Sequence, residues 1–229
     1  MTNRLLPLLF ITLLILGSSC KSSQGVASAP SEKETINAVK EVLNGSAFKA
    51  IDGLGRLANG GLEGLLPEEV RPVLATLKTL GLGAELTKLD KKLGVVSTAA
   101  YLESRGLMSD AIKQVKFEDA ASIVIGGENA ATLAFKNTMY SAVKSRYSER
   151  LESQINKIDE AKHWYTAVTA YNLFAKNKIS GSLSDFIAER AVDAVFVAMS
   201  KEEAAIRKNP ASLDKAVVTK VFDYYNNNK

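Results

Sequence analysis

From Ile36 to Tyr225 the apolar residues of this chain recur at spacings of three and four and never settle into alternation. That period puts them on one face of an α-helix, whereas a half-buried strand needs a period of two. Ile36, Val39 and Leu43 make one stripe, and Phe48, Ile51, Leu54 and Leu57 make the next. Val70, Val73, Leu74, Leu77 and Leu80 follow, then Leu86, Leu89 and Leu93. Asn44-Gly45 and Asn59-Gly60 fall between helical stripes rather than between alternating segments, so they read as helix stops and not as hairpin turns. The pattern predicts an all-α fold, a single compact helical bundle of about eight or nine helices.

The boundaries have their own chemistry. Ser31 and Glu34 have capping-box spacing and predict a helix start. Pro67, followed by Glu68 and Glu69, predicts another start, with Gly81 as the stop. The stretch from Val95 to Val115 reads as two helical pieces around Gly106. A short helix is expected at "KFEDAASIVIGG", with Glu118 and Asp119 in its first turn and Gly126-Gly127 after it. A long helix runs from Glu128 to about Lys157 through Leu133, Phe135, Met139, Val143, Tyr147, Leu151 and Ile155. Trp164, Val168, Tyr171 and Leu173 share a further face. Ser184 and Asp185 are expected to cap a helix that runs to about Arg207, and Pro210 precedes a last helix carrying Val217, Val221 and Tyr225.

The first thirty residues are different. Arg4 precedes "LLPLLFITLLIL", too short a run to span a bilayer core that needs roughly 20 residues. Gly17, Ser18 and Ser19 then lead to Cys20, the only cysteine in the chain. This arrangement fits a secretory leader and resembles a bacterial lipoprotein signal, with Gly17 standing where leucine is usual. The resemblance implies that residues 1–19 are removed as a signal peptide and that Cys20 is acylated. Residues 20–30 would then be the lipidated cysteine and a small, polar tether, with the helical domain over 31–229. Lys21, rather than an aspartate, follows the cysteine. In the same resemblance this favours the outer membrane, with the periplasmic face as the default. Acylation of Cys20 leaves no thiol for disulfides, redox work or a metal site.

Charge excludes one class of function. The chain carries +4 formally, and loss of residues 1–19 removes only Arg4 from the charged set. Cations and anions are interspersed in "KLDKK", "SRYSER" and "SKEEAAIRK", which describes a solvated surface and not a nucleic-acid stripe. No cofactor motif survives inspection. "GLGRLANGGLEG" lacks the flanking strands of a dinucleotide site, and "SGSLS" lacks the second glycine of a nucleophile elbow. His163 is the only histidine, so a metal site built on imidazoles is excluded.

Carboxylates remain the best polar candidates. Glu118 and Asp119 stand at a helix start. Asp193 lies among apolar residues in "AERAVDAVF" and is expected on a core-facing stretch that would oblige it to find a partner. Glu202, Glu203 and Arg207 follow, and Glu203 and Arg207 have the favourable i,i+4 order. These six residues describe either a structural ion-pair network holding the terminal helices or a polar ligand site.

Much of the chain is similar to a bacterial family of predicted lipoproteins catalogued as domain of unknown function 4197. The resemblance rests on Phe117, Asp119 and Ala120, the Gly126-Gly127 pair, Ala130-Ala131-Thr132, Phe135 and Thr138. Farther on it rests on Tyr171, Asp185, Ala191, Asp193, Phe196, Glu202-Glu203, Ile206-Arg207, Pro210 and Val221-Phe222. Val192 and Ala194 stand where the family often has leucine and glycine. The family implies a helical, lipid-anchored envelope protein and brings no catalytic assignment with it. The expected role is a non-enzymatic binding or scaffold module held to the membrane by its anchor, with an envelope protein as partner. The alternatives are a carrier of an apolar or lipid-like ligand and a hydrolase using Glu118, Asp119 or Asp193.

Overall fold

Ser31 begins the domain in the computed structural model, which describes residues 28–57, 75, 78–174, 176 and 178–228. Its backbone N–H donates to Glu34 Oε2 at 2.9 Å, and the Glu34 N–H donates to Ser31 Oγ at 3.3 Å. Helix α1 then runs over Glu32–Leu57. Gly45 does not stop it, and the two stripes expected on either side share one helix. A β-carbon at Gly45 would lie 2.4 Å from Leu213 Cδ2, so the bare backbone there seats the chain that crosses over α1. Glycine lowers helix propensity by about 1 kcal/mol, which tertiary packing readily overrides.

Gly81 does break the chain, at φ +87°, inside a short π-helical turn over Lys78–Leu82. Helix α2 follows without interruption over Gly83–Gln114, so Gly106 is an exposed interior position and not the break expected of it. Helix α3 (Ala120–Ile125) is a short piece capped by Asp119. Helix α4 spans Ala130–Ile155, and a 3₁₀ turn at Asp159–Ala161 leads into α5, Lys162–Phe174. Helix α6 is Leu183–Lys208, a second 3₁₀ turn is Pro210–Leu213, and α7 is Ala216–Asn227. The cap of α6 is Ser182, with Asp185 as its reciprocal partner, two residues earlier than Ser184.

The fold is all-α, with seven α-helices and no strand among the described residues. That is fewer than the eight or nine expected, because the backbone stays helical through Gly45 and Gly106. The helix expected from Pro67 lies outside the described residues, as do the leader and Cys20.

Four long helices close a ring in which α1 packs on α2, α2 on α4, α4 on α6 and α6 on α1. Cross-helix pairs show their directions. Lys40 and Asp52 of α1 meet Lys113 and Arg105 of α2, while Thr132 and Ser148 of α4 meet Glu203 and Asp185 of α6. Ring neighbours are therefore antiparallel, as in an up-and-down bundle. Helices α3 and α7 cover the end where α1 begins, and α5 lies at the opposite end beside the first half of α2, where Glu160 pairs with Lys92 at 2.5 Å.

The core is built from the stripes. Leu43, Leu89, Leu93, Ile112, Leu151 and Met199 are all at most 1 % exposed. Phe135 and Phe196 meet with ring centroids 5.6 Å apart, joining α4 to α6. Each such side chain contributes roughly 1.5–3 kcal/mol by leaving water. Leu133 and Leu173 depart from their expected faces and are exposed. No described helix is long and apolar enough to cross a membrane.

Candidate functional site

Two helix ends meet around Gly126 and Gly127. Helix α3 ends at Ile125 with carbonyls left over, and α4 starts at Ala130 with amides left over. Both are served by α6. Glu203, with no exposed surface, accepts from the Ala131 N–H at 3.0 Å on one oxygen and from the Thr132 N–H at 2.7 Å on the other. One turn later Arg207 donates from Nε to Glu203 Oε1 at 2.7 Å. Its terminal nitrogens donate to the carbonyls of Val124 and Ile123, at 2.8 and 2.9 Å. The guanidinium carbon also lies 5.2 Å from the centroid of the Phe222 ring, which brings in α7.

Each charge sits where the helix dipole favours it, the carboxylate at an N-terminus and the guanidinium at a C-terminus. Both carboxylate oxygens and all three guanidinium nitrogens are engaged. Glu203 thus has no open face from which to take a proton from a substrate, which a general base requires. The turn itself is tightly fitted at Gly126, where a β-carbon would lie 2.9 Å from Ala130 Cβ and 3.0 Å from the Ser122 carbonyl oxygen. Gly127 has open space around it.

Asp193 does not join this junction. It lies about 15 Å along α6 from Glu203 by helical rise. Its side chain is 44 % exposed and 3.2 Å from Lys136 Nζ on α4. Val192 and Phe196 take the core-facing positions of this stretch, while half-buried Asp193 lies at the edge of the α4–α6 contact. Lys136 Nζ also stands 5.2 Å from the ring centroid of Tyr140 and 5.7 Å from that of Phe196. Burial, reinforced by the negative charge of Asp193, pushes the Tyr140 hydroxyl up to about 12.

Glu118 and Asp119 lie near the start of α1. Asp119 accepts from the Ser122 N–H at 2.9 Å and from the Ser122 hydroxyl, and these bonds hold its carboxyl below the usual range. Both residues, with Pro30, Glu32, Thr35 and Tyr225, line an open cleft of about 240 Å³. No group of three His, Cys, Asp or Glu among the described residues has the arrangement of a metal site. Glu202 is half-buried, and its side chain makes no hydrogen bond or ion pair among the described residues. His163 is half-buried on α5. Of the six polar candidates the structure joins Glu203 to Arg207 and Glu118 to Asp119, and leaves Asp193 and Glu202 apart from both pairs.

Sequence reasoning did not find the partners of the buried pair, which are main-chain atoms of residues 123, 124, 131 and 132. The available signal was the Gly126-Gly127 pair between two helical stripes, which marks helix ends in need of caps.

No curated protein matches this chain, and no solved structure does. A family model described as "Protein of unknown function (DUF4197)" matches residues 29–223, a span from the approach to α1 through most of α7 that contains the whole Glu203–Arg207 junction, and the chain belongs to that family.

Proposed function

We propose that this protein is a lipid-anchored component of a bacterial envelope, whose helical domain is a non-enzymatic binding or scaffold module. The anchor reading rests on the leader and Cys20, and the small, polar residues 21–30 supply a tether. Two or three acyl chains on one residue would hold the protein firmly, since each buried methylene contributes about 0.8 kcal/mol.

The observation that carries the non-enzymatic reading is the use made of Glu203 and Arg207. The most buried charged pair described here is spent on the backbone ends of α3 and α4, leaving neither side chain free for chemistry. The carrier alternative finds less support. An apolar cavity lined by Tyr101, Leu107, Met108, Val143, Tyr147 and Val195 has about 20 Å³, room for about one water and not for an acyl chain.

The experiment pairs fractionation with crosslinking in the native host. The wild-type protein should sediment with membranes and form a discrete crosslinked species, and Cys20→Ser should move it to the soluble fraction. A Cys20→Ser protein that stays on the membrane would remove the anchor reading. Hydrolytic activity lost in Glu118→Gln or Asp193→Asn, with the fold intact, would replace the scaffold reading.

A further inference from the structure

The bundle has two dissimilar poles, and the chain enters at only one. Pro30 lines the cleft beside Glu32, Glu118, Asp119 and Tyr225, so the approach from Cys20 reaches the α3–α7 end. Exposed Glu118, Asp119 and Glu128 lie there, with Lys208 against Glu128 and Lys220 against Glu34, so this pole is charged and of mixed sign. At the other end α5 exposes Tyr165 and Leu173, at 56 % and 73 %.

Helix lengths set the distance between the poles. Lys40 of α1 bonds the Lys113 carbonyl, and Lys92, far back along α2, pairs with Glu160 at the entrance to α5. At 1.5 Å per residue, the path from Glu32 to the start of α5 is about 45 Å. Cys20 precedes Pro30 by ten residues, whose fully extended span is roughly 35 Å. A relaxed chain of that length spans about 17 Å. An anchored bundle therefore cannot turn end over end, because its tether does not reach past the α5 pole.

We infer that, in the anchored protein, the charged α3–α7 pole faces the lipid headgroups and α5, with Tyr165 and Leu173, is carried away from the bilayer. This rests on the lipid-anchor reading above. The α3–α7 pole meets the headgroups as a hydrated surface, since its carboxylates would lose hydration on insertion. The apolar residues of α5 then face the aqueous side of the envelope.

Acylation consumes the chain's only cysteine, so an introduced cysteine is a unique labelling site. Glu128→Cys marks the near pole and Thr166→Cys the far one, both at exposed positions. Full-length acylated protein carrying a fluorophore at either site is reconstituted into phosphatidylethanolamine–phosphatidylglycerol vesicles containing a headgroup spin label. Flotation is read alongside collisional quenching. Co-flotation with quenching several-fold stronger at 128 than at 166 is the expected result. Co-flotation with equal or stronger quenching at 166 overturns the orientation. Protein that does not float overturns the anchor reading itself and the orientation with it.

Discussion

At Glu203 a carboxylate leaves water entirely and receives three hydrogen bonds in exchange, two from backbone amides and one from Arg207. Removing one member of such a pair leaves the other buried and uncompensated, which typically costs about 3–5 kcal/mol. Glu203→Gln is therefore expected to lower the unfolding free energy by that order. Glu128→Gln breaks only the exposed pair with Lys208 and should cost about 0.5 kcal/mol or less. Urea denaturation of the two variants, starting at residue 21, checks the contrast. Gly126 and Gly127 offer a second pair. Gly126→Ala forces a β-carbon against Ala130 and the Ser122 carbonyl and should destabilise by about 1–3 kcal/mol. Gly127→Ala points into open space and should stay within about 0.5 kcal/mol of wild type.

Helix starts carry the pH dependence, because their capping carboxylates are held ionised. Lys220 and the Ser31 N–H and hydroxyl lower Glu34 to about 2, while the Ser148 and Ser182 hydroxyls lower Asp185. Ser122 does the same for Asp119. A carboxylate with a depressed folded pKa contributes stability above its unfolded value of about 4 and loses it as pH falls toward the folded value. Denaturation midpoints should thus be flat near neutrality and fall from about pH 4.5 toward pH 2, with a shallower fall in Glu34→Gln. Helix α5 has the least support from the ring, and Trp164 is buried there with an unpartnered Nε1. Its amides should exchange with deuterium sooner than those of α4 and α6, by local opening.

These elements also show what the chain's pattern can and cannot reveal. Periodicity sufficed for Leu86, Leu89 and Leu93, for the stripe from Phe135 to Ile155, and for the capping box at Ser31, since each depends on neighbours within one or two turns. Gly45 misled because the reason for it, Leu213, lies far along the chain. The i,i+4 spacing of Glu203 and Arg207 was visible, but their engagement with the ends of α3 and α4 was not. Those bonds span separations of 71 to 84 residues. Asp193 needs a partner for its charge, but local spacing does not name Lys136, which lies 57 residues away. Val192 and Phe196 beside it are buried, yet a one-residue step around a helix was enough to bring it to the contact edge and to Lys136.

At the scale of the whole molecule, a ring of four antiparallel helices is closed at one end by α3 and α7 and bears α5 at the other. The buried pair on α6 locks the closed end, which is also the end nearest the proposed anchor. Such a construction suits a rigid module, which the proposed anchor would hold close to a membrane. The claim on which this account turns is the fate of Cys20. The most direct test is the intact mass of the protein purified from its native membranes, with sequencing of its first residues. The account predicts a chain that begins at Cys20 and carries diacylglycerol on sulfur, with a further acyl group on the amine. A chain that begins elsewhere, or one whose Cys20 thiol is free, would contradict it.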